Sequence, residues 1–212
     1  MSVAVIDYGM GNLRSVERAL RRVGASQVRV SADPAVIDAA ERVVFPGQGA
    51  VRDCMSALHR HELIDVLGRV MADRPFLGIC MGMQALMSRS EENEGVEALG
   101  HFAGTVRHCR SLTGADSRLK IPHMGWNRLE QVRRHPLFAG IADGTRFYFV
   151  HSYYVDADDP AIVQACSDYG ARFAAAIGAA NVFATQFHPE KSQQPGLQLL
   201  ENFLAWDGEP CS

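Results

Sequence analysis

Apolar and polar positions along the first ninety residues predict strands and helices in turn. Residues 3–8 form a short apolar run that closes in a Gly-rich turn. Asn12 then stands where it would cap a helix in which Leu13, Val16, Leu20 and Val23 recur at helical spacing, and Gly24 ends that helix. Residues 27–30 read as a second strand. Asp33 followed by Pro34 is a helix start, an acidic cap with proline at the first helical position. Residues 42–45 are a third strand, running into Pro46-Gly47-Gln48-Gly49. A helical stretch covers about 50–72 with a break near His61. Residues 76–79 are a fourth strand and 81–88 begin another helix. This alternation predicts an α/β fold with a doubly wound, mostly parallel sheet.

The pattern changes after an acidic, Gly-containing loop at 91–95. Segments around 104–109, 147–155, 162–166, 173–177 and 182–187 read as strands joined by turns, so the C-terminal part is expected to be mixed or antiparallel. Within 196–206, Leu197, Leu200, Phe203 and Leu204 share one face of a closing helix. Neither a repeat nor a linker interrupts the chain, and a single domain over 1–212 is the expectation.

Composition narrows the function classes. The 212 residues, 47% hydrophobic and 21% charged, suffice for a real core. The net charge is −3 and no basic run occurs, which argues against a nucleic-acid or anionic-membrane binder. The longest apolar run, 173–180, falls well short of the roughly 20 residues that span a bilayer. A basic segment is missing at the N-terminus, so no secretory signal is expected. Cys54, Cys80, Cys109, Cys166 and Cys211 are odd in number and form no C-x-x-C pair. That predicts neither a disulfide framework nor a cysteine zinc site, and a reducing cytoplasm is the simplest location.

Two Gly-rich turns invite a chemical reading. Gly9-Met10-Gly11 follows a strand, but a dinucleotide fingerprint needs a third glycine where this chain has Arg14, so a tight turn is expected there. Gly78-Ile79-Cys80-Met81-Gly82 is the cysteine version of a nucleophile elbow, between a predicted strand and a predicted helix. Small residues must flank the nucleophile in so sharp a turn. The helix N-terminus favours thiolate, and the Met81 N–H is suited to a developing oxyanion. Taken alone the motif fits a buried structural thiol equally well. A thiolate nucleophile also needs a base. Of eight histidines, His188 ends the apolar run 182–187 and begins His188-Pro189-Glu190. In extended backbone, residues two apart project to one side, so Glu190 is placed to orient the imidazole. Gly47 and Gln48, after the third strand, are candidates for a second oxyanion donor.

These segments together resemble the class I (triad) glutamine amidotransferases. The residues 5–16, 122–127, 149–154 and 188–192 are more closely similar to the glutaminase subunits of imidazole glycerol phosphate synthases, and the resemblance runs from residue 3 to about 206. It implies a flavodoxin-like fold and hydrolysis of glutamine to glutamate and ammonia. The ammonia would pass to a partner, the (β/α)8-barrel cyclase subunit of that synthase, in histidine biosynthesis. It implies Cys80 as nucleophile, His188 as base then acid, and Glu190 as its orienting group. Gly47, Gln48 and Met81 would bind the oxyanion. Gln84, Ser152 and Tyr153 would bind glutamine, and Asn12, Trp126 and Lys191 would lie near the partner. Such chemistry calls for no metal or organic cofactor. The family often has valine where this chain has Gln48, a change that leaves the backbone N–H in place. A glutaminase of the pyridoxal phosphate synthase type and a stand-alone cysteine hydrolase are the competing readings.

Overall fold

The computed structural model describes residues 1–114 and 118–209; Cys211 lies outside them. The order along the chain begins β1 (Ser2–Ile6), α1 (Leu13–Arg22), β2 (Gln27–Ser31), α2 (Pro34–Asp38), β3 (Arg42–Gly47), α3 (Val51–Arg60), α4 (Ile64–Asp73), β4 (Phe76–Cys80) and α5 (Met81–Ala85). It continues with β5 (Met87–Ser90), β6 (Val96–Glu97), β7 (Phe102–His108), α6 (Arg110–Thr113), β8 (His123–Arg128), β9 (Glu130–Gln131), β10 (Arg146–His151) and β11 (Tyr153–Ala157). The last elements are β12 (Val163–Asp168), β13 (Arg172–Ala179), β14 (Val182–Thr185) and α7 (Gln193–Ala205).

The local signals act as expected at the first helices. The Asn12 side chain accepts the Ser15 N–H at the start of α1, and Asp33 accepts the Ala35 N–H at the start of α2. The helix expected over 50–72 is broken at His61-Glu62-Leu63, where Glu62 takes a positive φ of 56°.

The main sheet runs β2-β1-β3-β4-β14-β13-β11-β7-β5-β6. Its first five strands are mutually parallel, the order of a flavodoxin-like sheet. From β14 onward the pairing turns largely antiparallel: β13 with β14, β11 with β13, and β7 with β11. The strand β4 is buried at every position, and β3 at all but Arg42, as befits parallel strands covered on both faces. In β1, Ala4 and Ile6 face a core shared with α2, α3 and α4; Val3 and Val5 face one shared with α1 and α7.

Two sequence expectations are corrected. The helix begun at Met81 stops at Ala85, because Met87–Ser90 pairs with β7 and buries Met87 and Ser90 at the sheet edge. Tertiary pairing there outweighs local preference. The strand expected over 147–155 is two strands in two sheets. β10 pairs with β8 in a separate antiparallel ribbon, and the chain crosses at Ser152 to β11 in the main sheet.

Three histidines are packed into the core without a charged partner. His135 packs against Phe183, His123 stacks on Tyr169, and His151 lies behind His123. Burial pushes His123 and His135 down to about 4, and burial with the neighbouring His123 pushes His151 down to about 3. Their folded values lie below the unfolded value near 6.5, so the unfolded chain binds more protons as pH falls through roughly 6.5 to 4. Stability should therefore drop across that window, by up to roughly 3 kcal/mol for a histidine held near 4. Thermal denaturation against pH checks this. His135→Asn, which keeps an acceptor for the Leu137 N–H, should flatten the acid limb.

Candidate active site

The carboxyl ends of β1, β3, β4 and β14 converge, the position where open parallel sheets bind ligands. Cys80 ends β4 at φ 55°, ψ −100°, a strained conformation for a residue with a Cβ. Its neighbours show why the flanking positions are glycine. A Cβ on Gly82 would overlap the Phe45 carbonyl oxygen, and one on Gly78 would come within 3.0 Å of the Ala184 Cβ. The helix α5 can therefore follow β4 without a step, with the thiol at the turn.

After β14 the chain places His188 opposite. The His188 N–H donates to the Tyr148 carbonyl (2.9 Å), and the Ser192 hydroxyl donates to the His188 carbonyl (2.7 Å). Pro189 opens a single 3₁₀ turn that brings Glu190 back to the ring. Nδ1 of His188 and Oε1 of Glu190 are 2.8 Å apart, with both side chains almost fully buried. Nε2 of His188 and Oε2 of Glu190 close no hydrogen bond among the described residues. The Cys80 sulfur lies 3.9 Å from the Val150 carbonyl and accepts from the Gln186 side-chain N–H at 3.5 Å. Burial opposes a charge on His188, but the Cys80 sulfur and the Glu190 carboxylate outweigh it and raise the imidazole well above its usual value. The arrangement favours an imidazolium held beside the Cys80 sulfur.

Cys80 opens into a cavity of about 450 Å³, a usual size for a small-molecule site. Gln48, Gly49, Met81, Gln84, Ser152 and Tyr153 stand in its wall. A cysteine elbow, a buried His–Glu pair and a ligand-sized cavity at the sheet's carboxyl edge form one unit. Residues 4–206 match the family described as Glutamine amidotransferase class-I. The chain belongs to that family. Relatives bearing the name Imidazole glycerol phosphate synthase subunit HisH include one from Pseudomonas aeruginosa, 57% identical over 208 residues and covering 98% of both chains. Another, from Methylococcus capsulatus, is 57% identical over 210 residues and covers 97% of both. Among solved structures, a glutamine amidotransferase aligns with a TM-score of 0.71 at 17% identity, over 95% of this chain and 98% of that one. The glutaminase domain of Trypanosoma brucei CTPS, with bound acivicin, aligns at 0.65 and 16% identity, over 100% of this chain and 98% of that one. At such identities these two structures speak for the fold.

In this class I amidotransferase the expected oxyanion turn lies directly against the elbow. Gly47 pairs with Cys80 across β3 and β4, and Gly49 sits at φ 100°. The turn after β1 covers it: Gly11 packs on the Gly47 backbone, and the buried Tyr8 ring presses its hydroxyl onto Gly47. The double-glycine turn that lacks the third glycine of a dinucleotide fingerprint thus packs on the turn at Gly47. Lys191, expected near the partner, stands in the cavity wall. Trp126, on the ribbon strand β8, is 43% exposed and stacks edge-on against Tyr148, which also lines the cavity. Asn12 is exposed and caps α1.

Two residues were not singled out by the sequence. Glu92, in what reads as a solvated loop, reaches the cavity wall with one oxygen accepting the Val51 N–H at 2.9 Å; burial raises its pKa. Gln186 is fully buried within an apolar run. Its signal was its polarity inside that run; Glu92 carries none that distinguishes it from its acidic neighbours.

A Cβ on Gly47 would overlap the Tyr8 hydroxyl and come within 2.8 Å of the Met81 Cβ. Gly47→Ala should therefore lower stability by about 1–3 kcal/mol, the range for overpacking. Adding Tyr8→Phe should return part of that loss, because it removes the hydroxyl that the new Cβ overlaps. Thermal denaturation of the single and double variants checks both.

Proposed function

We propose that this chain is the glutaminase subunit of an imidazole glycerol phosphate synthase, acting as one domain over 1–212 in a reducing cytoplasm. The observation that carries the proposal is the 57% identity, over 98% of both chains, to a protein named as such a subunit. The buried Cys80, His188 and Glu190 cluster supplies the chemistry.

Glutamine enters the cavity with its side-chain amide at Cys80. Gln84, Ser152 and Tyr153 hold it, and the half-buried Glu92 carboxylate in the cavity wall suits its α-ammonium group, which in turn keeps Glu92 ionised. The thiolate attacks the amide carbon. The oxyanion that forms takes donors from the Met81 N–H and from the Gly47–Gln48 turn. His188 transfers its proton from Nε2 to the amine, the C–N bond breaks, and ammonia leaves a glutamyl thioester. A water then attacks the thioester, giving its proton to Nε2, and glutamate departs with the thiolate restored. Glu190 holds the imidazole through Nδ1 throughout.

Ammonia must remain unprotonated to react, so release into a partner rather than into water is required. The exposed Met124 and Trp126 beside the cavity suit a docking face for the (β/α)8-barrel cyclase, with Asn12 and Lys191 at its margins. There the ammonia would complete imidazole glycerol phosphate and release an aminoimidazole carboxamide ribotide. The donors at Gly47 and Gln48 offer a place for control: one misaimed N–H costs about 3–4 kcal/mol in the transition state, or roughly a hundredfold to a thousandfold in rate.

Co-purification with a cyclase barrel, and glutaminase assays with and without the cyclase ligand, test the proposal. The isolated chain should turn over slowly and the ligand-loaded complex much faster; full activity of the isolated chain overturns the coupling. In the complex, Cys80→Ala should abolish glutamine-dependent synthesis while leaving synthesis from ammonium salts largely intact. His188→Ala should cost nearly as much. Glu190→Gln should retain a rate about tenfold or more above it, since the carboxylate orients without transferring the proton.

A further inference from the structure

We propose that Gln186 is a positioning residue that presents a hydrogen-bond donor to the Cys80 sulfur, in an orientation set by a hydrogen-bond chain anchored on the Tyr153 carbonyl. The inference rests on the role of Cys80 proposed above. Gln186 follows β14, is fully buried, and has its backbone N–H pinned to the Ala175 carbonyl at 2.9 Å. A side-chain amide in that place has two orientations of nearly equal shape. With nitrogen toward the sulfur it stabilises a thiolate; with oxygen toward the sulfur it repels one.

The surroundings admit one of the two. A backbone carbonyl only accepts, so the Gln84 atom 3.0 Å from the Tyr153 oxygen is its NH₂ group. The second hydrogen of that group meets Gln186 at 3.0 Å, where it requires Oε1. Nε2 of Gln186 therefore faces the sulfur, at 3.5 Å. Reversing Gln186 would set its nitrogen against that of Gln84. Reversing both would set the Gln84 oxygen against the Tyr153 carbonyl.

The same carbonyl is held from its other side. Nδ1 of His151 lies 2.8 Å from it and so carries the hydrogen. With His151 neutral, its Nε2 accepts from Nδ1 of His123 at 2.9 Å. Nε2 of His123 in turn accepts from the Asn127 amide at 3.3 Å, whose other contact is the Asp168 carbonyl at 2.7 Å. Backbone carbonyls thus set the sense of both chains, and both end on Tyr153. The outcome at Cys80 is one fixed donor, opposite the Val150 carbonyl, which accepts from a thiol but repels a thiolate.

Two variants test this, in the isolated chain for thiol reactivity and in the cyclase complex for turnover. Gln186→Met keeps the length and removes the donor. Gln186→Glu keeps the size and the acceptor for Gln84, a second route to a folded protein, and when ionised it turns an oxygen toward the sulfur. In Gln186→Met the rate of Cys80 alkylation by iodoacetamide, followed by peptide mass spectrometry at neutral pH, should fall about tenfold or more. Its kcat for glutamine hydrolysis should fall by a similar factor, with KM changed less than about threefold. Gln186→Glu should be slower still in both. A purely structural role predicts a lowered unfolding temperature with alkylation unchanged or faster. Alkylation within about twofold of wild type in the folded variants overturns the proposal. A wild-type complex that does not hydrolyse glutamine overturns the function proposed above and leaves the alkylation comparison standing.

Discussion

The close contact between the β4–α5 turn and the end of β3 is the constraint on which the site depends. Cys80 holds a positive φ that costs a residue with a Cβ about 1–3 kcal/mol. Nothing local to a cysteine favours it. It persists because β4 is buried along its whole length, paired on both sides, and followed at once by a helix whose Gly82 touches the Phe45 carbonyl. The core packing around β3 and β4 thus maintains the strain. The turn at Gly47 that ends β3 lies against the elbow, so Cys80 and that turn share a single packing arrangement.

Burial acts on His123, His151 and His188 alike, yet its result differs with the partner. His123 and His151 face aromatic rings, each other and a backbone carbonyl, and burial keeps them neutral. His188 is buried to a similar degree, but a carboxylate on one ring nitrogen and a sulfur near the other reverse the balance. The neutral pair provides fixed hydrogen-bond directions, and His188 holds its proton between a carboxylate and a sulfur. Low polarity around the site strengthens both effects.

Much of this was legible in the sequence where the signal is local. Asn12, Asp33-Pro34 and the break at His61 are set by residues next to one another, and the elements begin and end there accordingly. The elbow was legible because its glycines answer a steric demand that few other turns make. The pairing of His188 with Glu190 was legible because Pro189 fixes the geometry of a three-residue segment. What failed depended on partners far along the chain. Met87–Ser90 carries no strand signal of its own and becomes one only beside β7. The apolar pattern of 147–155 runs unbroken through Ser152 and gives no sign that the chain changes sheets. The strand β8, with polar residues at alternate positions and Gly125 within it, is held by its pairing with β10. Gln186 and Glu92 were missed for the same reason, since their partners lie on other elements.

The pairing of β14 with β4 joins segments more than a hundred residues apart in the chain, the same separation that lies between Gln186 and Cys80. Synthesis proceeds from the N-terminus, so β1 to β4 emerge long before β14 exists. Until then β4 is an open edge of apolar residues, and the elbow has neither its histidine nor the strand that braces Gly78. A partly made chain therefore carries Cys80 without the histidine that faces it in the finished fold. Chemical competence arrives late in translation, together with the strand that seals the sheet, and a ribosome that stalls short of residue 182 releases no active glutaminase.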